Sequence, residues 1–222
     1  MIIGFDFDGT LVDSYSIIEE AFKKTLEKSF PLLPFKSLWA KILTLIEYYY
    51  EKPKFGKNRV KQPIIFKIKF FRMWFEERAK LSKPIDNSKE LLKRLKEEGY
   101  KVISFSAEDF ADGMKEYRLK ITGYYDLFDD VIVWKDDKRL LQAFQYIRNK
   151  YGNDIFIWVD DKPWRFIGKG DERTVFVWYR FPITSKFVNN EILDKIPNLY
   201  VIDNLWDIFD VIEDVKRSFK NL

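Results

Sequence analysis

The stretch Met1-Ile-Ile-Gly-Phe-Asp-Phe-Asp-Gly-Thr10 decides how the rest of the chain is interpreted. Its apolar start, residues 1–5, predicts a fully buried strand, and Asp6 and Asp8 follow directly. Two acids at positions i and i+2 of an extended backbone project to the same side. Adjacent carboxylates raise each other's pKa unless they share a cation, and an oxygen-only site suits Mg²⁺. The stretch therefore predicts a cation site at the end of a strand.

Two other interpretations apply to this acid pair. A calcium-binding loop also begins Asp-x-Asp, but the position that would supply its bidentate glutamate is Ile17, and no helix precedes the loop. A strand that simply ends in solvent would also carry acids. Other motifs in the sequence are therefore needed to decide among these interpretations.

Cysteine and histidine are both absent from the 222 residues. Their absence excludes disulfides, thiol nucleophiles, Cys/His zinc sites and imidazole triads. The net charge of +4 is too small to indicate nucleic-acid binding by itself. No apolar run has the length of a membrane span, and no signal peptide precedes the first strand. We therefore expect a cytoplasmic protein that binds neither nucleic acid nor membrane, and its Lys/Glu-rich composition favours a thermophilic source.

The periodicity of apolar residues changes along the chain. Helical spacing after the first strand predicts three helices, over residues 15–28, 36–50 and 64–80. From Pro84 onward, helices alternate with short apolar segments that predict strands over residues 100–105, 131–134, 155–159, 174–178 and 199–202. The helices of this part are predicted between Asp86 and Gly99 and over residues 140–150 and 206–219.

Alternating strands and helices with apolar strands predict a parallel sheet that is covered on both faces. We therefore predict an α/β fold with two parts. Residues 1–14 and 84–222 form a doubly wound, Rossmann-like parallel sheet core, and residues 15–83 form a helical domain inserted after the first strand. These boundaries carry an uncertainty of a few residues.

The segment Asp6-Phe-Asp-Gly-Thr10 resembles the first motif of the haloacid dehalogenase-like hydrolase superfamily. The resemblance implies that Asp6 is a nucleophile, that Asp8 is a general acid and base, and that residues 15–83 are the helical cap of that superfamily. Phosphatases and phosphomutases of the superfamily have the second aspartate, whereas dehalogenases and ion-pumping ATPases lack it.

Two further strand ends resemble motifs of the same superfamily. Ser106 resembles the serine or threonine that holds a phosphate oxygen, although Ala107 stands where relatives often have Asn or Gly; a serine that caps the next helix is the alternative. Asp160 and Asp161 resemble the fourth motif. The resemblance implies a metal site made by Asp6, the backbone carbonyl of Asp8 and Asp160, with Asp161 acting indirectly or through water. Trp164 stands where many relatives have another acid.

The third motif of the superfamily is a lysine near the start of the helix before that strand. Lys138 is the best match, because the apolar stripe of the following helix begins at Leu140. Lys135 is the alternative, and neither lysine is followed by the proline that is often found there.

Together the motifs imply a Mg²⁺-dependent phosphatase that hydrolyses a small phosphorylated metabolite through an aspartyl-phosphate. A hexose-phosphate mutase and a non-catalytic binding module are the alternatives. Basic residues of the segment 52–61 could contact an anionic leaving group or lie in solvent. The aromatic residues of the segment 64–75 could form the interior of the cap or a dimer surface, so the sequence leaves both monomer and homodimer open.

Overall fold

A computed structural model describes residues 1–53, 68–109 and 112–219. Its strands are β1 (Ile2–Phe5), β2 (Val12–Asp13), β3 (Lys83–Pro84), β4 (Lys101–Ala107), β5 (Asp130–Trp134), β6 (Phe156–Asp160), β7 (Thr174–Tyr179) and β8 (Leu199–Ile202). Its α-helices are α1 (Ile18–Ser29), α2 (Lys36–Glu51), α3 (Ile68–Leu81), α4 (Ser88–Glu97), α5 (Met114–Ile121), α6 (Asp137–Tyr151), α7 (Asn190–Leu193) and α8 (Ile208–Phe219).

Six strands form one parallel sheet in the order β5-β4-β1-β6-β7-β8. The chain builds the sheet from β1 through β4 to β5 on one side, and then returns to build β6, β7 and β8 on the other. The direction of winding therefore reverses between β1 and β6. In open α/β sheets, ligands bind outside the carboxyl ends of the strands at such a reversal. The predicted doubly wound sheet is confirmed.

Both faces of the sheet are buried. Because alternate residues of a strand face opposite sides, the central strands contribute to two separate apolar clusters. Phe5 lies in one cluster together with Leu91 of α4 and Ile212 of α8. Trp158 lies in the other together with Phe144 of α6, with which it makes an edge-to-face contact at 5.8 Å between ring centroids. Burial on both faces explains why these strands are almost continuously apolar.

The helices α1, α2 and α3 form the segment inserted between β1 and β4. β2 pairs antiparallel with β3, so the chain leaves the core and returns to it at the same place. Phe22 of α1 stacks on Trp74 of α3 at 4.5 Å, and Phe70 and Phe75 are also buried. These aromatic residues form the interior of the insertion. Residues 54–67, which contain most of the basic segment and the start of the predicted third helix, lie outside the described residues.

Several features differ from the sequence-based expectation. The helices α5 and α7 and the short strands β2 and β3 were not predicted, and α6 begins at Asp137, three residues before the predicted start. The earlier start is explained by Asp136, whose side chain accepts a hydrogen bond from the backbone N–H of Arg139 at 2.8 Å and caps the helix. Over the described residues, no helix combines the length and the apolar character that crossing a membrane requires.

Candidate active site

Three acids meet at the carboxyl ends of β1 and β6. Asp6 follows β1 and its backbone N–H still donates to the carbonyl of Val159 at 2.9 Å, so the residue continues the parallel pairing. Asp160 ends β6 and Asp161 comes next. Carboxylate oxygens of the three acids lie within 4.8 Å of one another, and all three residues are buried. The sheet thus brings together Asp6 and the predicted fourth motif.

The donor set of this cluster fits a hard cation. Both carboxylate oxygens of Asp161 are buried and have no hydrogen-bond partner among the described residues. Burial raises the pKa of Asp161 well above its usual value, and the charges of Asp160 and Asp6 add to the effect, although Lys162 opposes it. Burial also raises the pKa of Asp160, to about 6. A divalent cation bound by oxygen ligands would relieve this repulsion.

The turn after Asp8 packs directly against this cluster. Gly9 has a φ of +78°, and a Cβ atom at this position would collide with the carboxylate of Asp161 and with the ring of Tyr15. Only glycine combines the left-handed conformation with such a close approach. The glycine of the first motif therefore places the backbone of residues 8–10 beside Asp161.

The Asp8 side chain does not belong to the acid cluster and lies in a cationic environment. Its Oδ1 accepts hydrogen bonds from Ser14 Oγ at 2.5 Å and from Arg118, and its Oδ2 accepts from Lys115 and, at 2.9 Å, from Arg118 Nη1. Burial alone would raise the pKa of Asp8, but the charges of Arg118, Lys115 and Arg78 together hold it well below its usual value. The two acids of the first motif therefore have different surroundings: Asp6 lies with two other carboxylates and one arginine, Arg165, whereas Asp8 lies among several cations.

Lys115 and Arg118 belong to α5, the helix that was not predicted. Both also form ion pairs with Asp109, at 3.0 and 2.9 Å. The Glu108 side chain accepts a hydrogen bond from the backbone N–H of Lys115 at 3.0 Å and fixes the start of the helix. Sequence analysis did not identify these residues. The pattern that could have indicated them is a pair of basic residues three positions apart, shortly after the second motif.

The insertion contributes charged groups to the same region. Arg78 of α3 is 3% exposed and donates to the backbone carbonyl of Ser14 at 2.9 Å and to its Oγ at 3.0 Å. Lys162, which follows the acids of β6, forms an ion pair with Glu51 of α2. Buried ion pairs and hydrogen bonds therefore connect both α2 and α3 with residues beside the candidate site.

Three buried hydroxyl groups have no hydrogen-bond partner among the described residues. Ser104 Oγ lies within β4, whereas Ser106 Oγ lies near the end of β4 and Thr10 Oγ1 lies in the turn after Asp8. Because a buried polar group without a partner is costly, the hydroxyls of Ser106 and Thr10 are available to a ligand oxygen. The Ser106 side chain caps no helix in the described part of the chain, although a helix cap was its alternative role.

Neither predicted lysine contacts Asp6. Lys138 lies in the first turn of α6, but it is exposed and makes no hydrogen bond or ion pair with the described residues. Lys135 is half exposed and pairs with Asp112 at 2.7 Å. Within the ranges that the structure describes, the cation that contacts Asp6 is Arg165, whose Nη1 lies 3.0 Å from Asp6 Oδ2 and 2.9 Å from Asp160 Oδ2.

Comparison with known proteins shows the family to which the chain belongs. A family model for haloacid dehalogenase-like hydrolases matches residues 2–155, more than half of the chain. The chain belongs to this family. The matched segment includes the first motif, the insertion and Ser106. Membership in the family and the fold that it implied are thereby confirmed, whereas the roles of the individual site residues stay predictions.

Solved structures of similar fold cover nearly the whole hydrolase. A protein named as a phosphatase from Clostridium difficile is 18% identical, with 95% of this chain and 97% of that chain covered and a TM-score of 0.59. A predicted phosphoglycolate phosphatase from Haemophilus somnus is 17% identical, with the same coverage and a TM-score of 0.55. A HAD-type hydrolase named YfnB, from Bacillus subtilis, bound to magnesium, is 14% identical, with 96% and 98% covered and a TM-score of 0.62. No curated protein sequence matches the chain.

Proposed function

We propose that this hydrolase is a Mg²⁺-dependent phosphatase that acts on a small phosphorylated metabolite through an aspartyl-phosphate on Asp6. The observation that carries the proposal is the different surroundings of the two acids of the first motif. Asp6 lies with two other carboxylates, whereas cations hold Asp8 in its anionic form. Two carboxylates whose environments differ in this way can take different roles in one reaction.

The acid cluster is the proposed metal site. Asp6, Asp160 and the backbone carbonyl of Asp8 would hold Mg²⁺, and Asp161 would act indirectly or through a coordinated water. The unpartnered, buried carboxylate of Asp161 supports a cation here. Bound Mg²⁺ would supply charge neutralisation and polarise the phosphoryl oxygens.

The reaction divides into two displacements at phosphorus. In the first, a carboxylate oxygen of Asp6 forms a bond to phosphorus and the bond to the ester oxygen breaks. The leaving oxygen takes a proton from Asp8, which first accepts that proton from the monoprotonated phosphate ester, because the resting carboxylate is anionic. In the second, water attacks phosphorus, gives a proton to Asp8, and releases phosphate and the free Asp6 carboxylate. Ser106 would donate a hydrogen bond to a phosphoryl oxygen. The cations around Asp8 keep its carboxylate anionic in the resting protein. They therefore favour its role as the base that takes a proton from water in the second displacement.

Residues 15–83 are the proposed cap. Two observations support this role: the paired strands β2 and β3 close the base of the insertion, and Arg78 and Glu51 carry its contacts to the region of the site. A cap in this position would exclude water and select small substrates.

A panel of small phosphomonoesters, including phosphoglycolate and hexose phosphates, tests the proposal. We expect stoichiometric release of inorganic phosphate from at least one compound in the presence of Mg²⁺, without a bisphosphate activator. Isomerisation of a hexose phosphate with little phosphate release would instead indicate a mutase. Neither reaction on any compound would contradict the proposal and favour a binding module.

A further inference from the structure

Asp6 needs a positive neighbour if it is to attack a phosphate. Both reactants are anionic, and a preorganised cation between them supplies much of the rate acceleration in phosphoryl transfer. The two lysines predicted for this task do not contact Asp6. Two buried lysines lie nearby, but Lys115 contacts Asp8 and Asp109, and Lys162 contacts Glu51.

Arg165 is the residue that meets this need. Among the described residues, it is the basic side chain that forms an ion pair with Asp6, and the same Nη1 reaches Asp160. Its side chain is 15% exposed. An arginine guanidinium stays protonated in proteins. Arg165 is therefore a fixed positive charge at the nucleophile.

The position of Arg165 is set by its neighbours. It ends a short 3₁₀ turn that begins at Pro163, and its backbone N–H donates to the carbonyl of Lys162 at 3.0 Å. Its guanidinium lies 5.7 Å from the ring centroid of Trp134, a buried residue of β5. A guanidinium held by a turn and by an aromatic ring needs little reorganisation during the reaction.

Most of the hydrogen-bonding capacity of Arg165 is unused. A guanidinium has five N–H donors, and both hydrogen bonds observed here use Nη1. In the part of the chain that the structure describes, Nε and Nη2 have no partner. These are the donors with which an arginine grips two oxygens of a phosphate.

We propose that Arg165 is a catalytic cation that neutralises the Asp6 nucleophile and the transferred phosphoryl group, in place of the lysine expected from α6. The inference rests on the proposed phosphatase function. While Asp6 forms its bond to phosphorus and the ester bond breaks, Arg165 donates hydrogen bonds to phosphoryl oxygens and stabilises their negative charge. The same contacts serve the hydrolysis of the aspartyl-phosphate.

The test compares Arg165→Met and Arg165→Lys with Lys138→Met and with Arg94→Met, a control arginine that pairs with Glu98 on the exposed side of α4. Hydrolysis of p-nitrophenyl phosphate, or of the best panel substrate, gives kcat and KM at saturating Mg²⁺. We expect Arg165→Met to lose about a hundredfold or more in kcat, with partial recovery in Arg165→Lys. Arg94→Met should match the wild type.

Calorimetry supplies a readout that does not depend on turnover. With Mg²⁺ present, inorganic phosphate should bind about tenfold or more weakly to Arg165→Met than to the wild type or to Arg94→Met. Mg²⁺ itself should bind Arg165→Met at least as tightly as the wild type, because the substitution removes a competing positive charge from two carboxylates.

The inference is overturned if Arg165→Met keeps kcat and phosphate affinity within a few-fold of the wild type, or if Lys138→Met alone loses activity. A loss of activity that merely follows a parallel loss of Mg²⁺ affinity would also overturn it, since Arg165 would then only support the acid cluster. Failure of the proposed function looks different: the wild type itself would release no phosphate from any compound.

Discussion

At the scale of single residues, the acids of this hydrolase differ mainly in what surrounds them. Asp8 and Asp161 are both buried aspartates only a few ångströms from the same turn, yet cations lower the pKa of Asp8 while burial raises that of Asp161. The difference follows from the positions of Lys115 and Arg118, which the sequence alone does not reveal. The pKa of Glu47 of α2 likewise depends on what surrounds its side chain.

We expect Glu47 to make the stability of the protein depend on pH. Its side chain is 15% exposed, and burial, reinforced by the charge of Glu51, raises its pKa from 4.5 to about 7 although Arg78 lies 3.7 Å away. The unfolded chain therefore loses this proton at a lower pH than the folded protein does. The contribution of Glu47 to stability is present below about pH 4.5 and is lost as the pH rises to about 7.

The variant Glu47→Gln isolates this effect, because glutamine does not titrate. Between about pH 5 and about pH 8, we expect the wild type to lose on the order of 1–3 kcal/mol of unfolding free energy relative to the variant. Urea unfolding of both proteins at the two pH values measures the difference. If the difference in unfolding free energy between the wild type and the variant is the same at both pH values, Glu47 keeps an ordinary pKa.

At the scale of secondary-structure elements, the insertion is held together by aromatic packing between α1 and α3. Trp74 is 1% exposed and stacks on Phe22. We expect Trp74→Ala to lower the stability of the insertion by about 3–5 kcal/mol, because it leaves a large cavity. Hydrogen exchange should accelerate in α1 and α3 more than in the central strands.

Trp39→Ala is the matched control for this prediction. Trp39 lies on α2 and is 43% exposed, so its replacement should change stability by about 0.5 kcal/mol or less. Equal effects of the two substitutions, or equal acceleration in the sheet and the insertion after Trp74→Ala, would show that the insertion does not depend on this stack.

The elements also show which features a sequence can predict. The strands and the acids that end them were found because an apolar run followed by Asp6 or Asp160 is a local pattern. Helix α5 was missed because it has only eight residues and its buried face includes Lys115 and Arg118, so no apolar stripe marks it. Those side chains are buried because Asp8 and Asp109 pair with them, and such contacts depend on the tertiary fold.

The cation at Asp6 was missed for a related reason. Lys138 was expected to contact Asp6 because the sequence places this lysine near the start of a helix, which is a local feature. Lys138 does lie in the first turn of α6. Whether its side chain reaches β1 depends on the sheet order, in which β4 lies between β5 and β1. Arg165 instead comes from the turn after β6, a direct neighbour of β1.

At the scale of the whole molecule, metal binding at the proposed site should couple to global stability. A ligand that binds only the folded state stabilises it by about 2.7 kcal/mol at a hundredfold excess over its Kd. For a chain of this length we therefore expect Mg²⁺ to raise the Tm by roughly 5–10 °C, with Mn²⁺ able to replace it. Differential scanning calorimetry with Mg²⁺ and with chelator measures the shift.

The variant Asp161→Asn should reduce this shift, whereas Asp203→Asn, at an exposed residue paired with Arg180, should preserve it. Chelation should lower the Tm without unfolding the protein at room temperature. A Tm that does not respond to Mg²⁺ in the wild type would count against the acid cluster as a metal site.

In the proposed function, the fold places one carboxylate, Asp6, between a metal site and a phosphate. The most direct test is to mix wild type, Asp8→Asn and Asp6→Asn with the best panel substrate and Mg²⁺, quench with acid and measure intact masses. We predict an added phosphoryl group that accumulates in Asp8→Asn and maps to Asp6, and no adduct in Asp6→Asn, whose turnover falls by about four orders of magnitude or more. Turnover by Asp6→Asn at a rate near that of the wild type, or an adduct on another residue, would contradict the account.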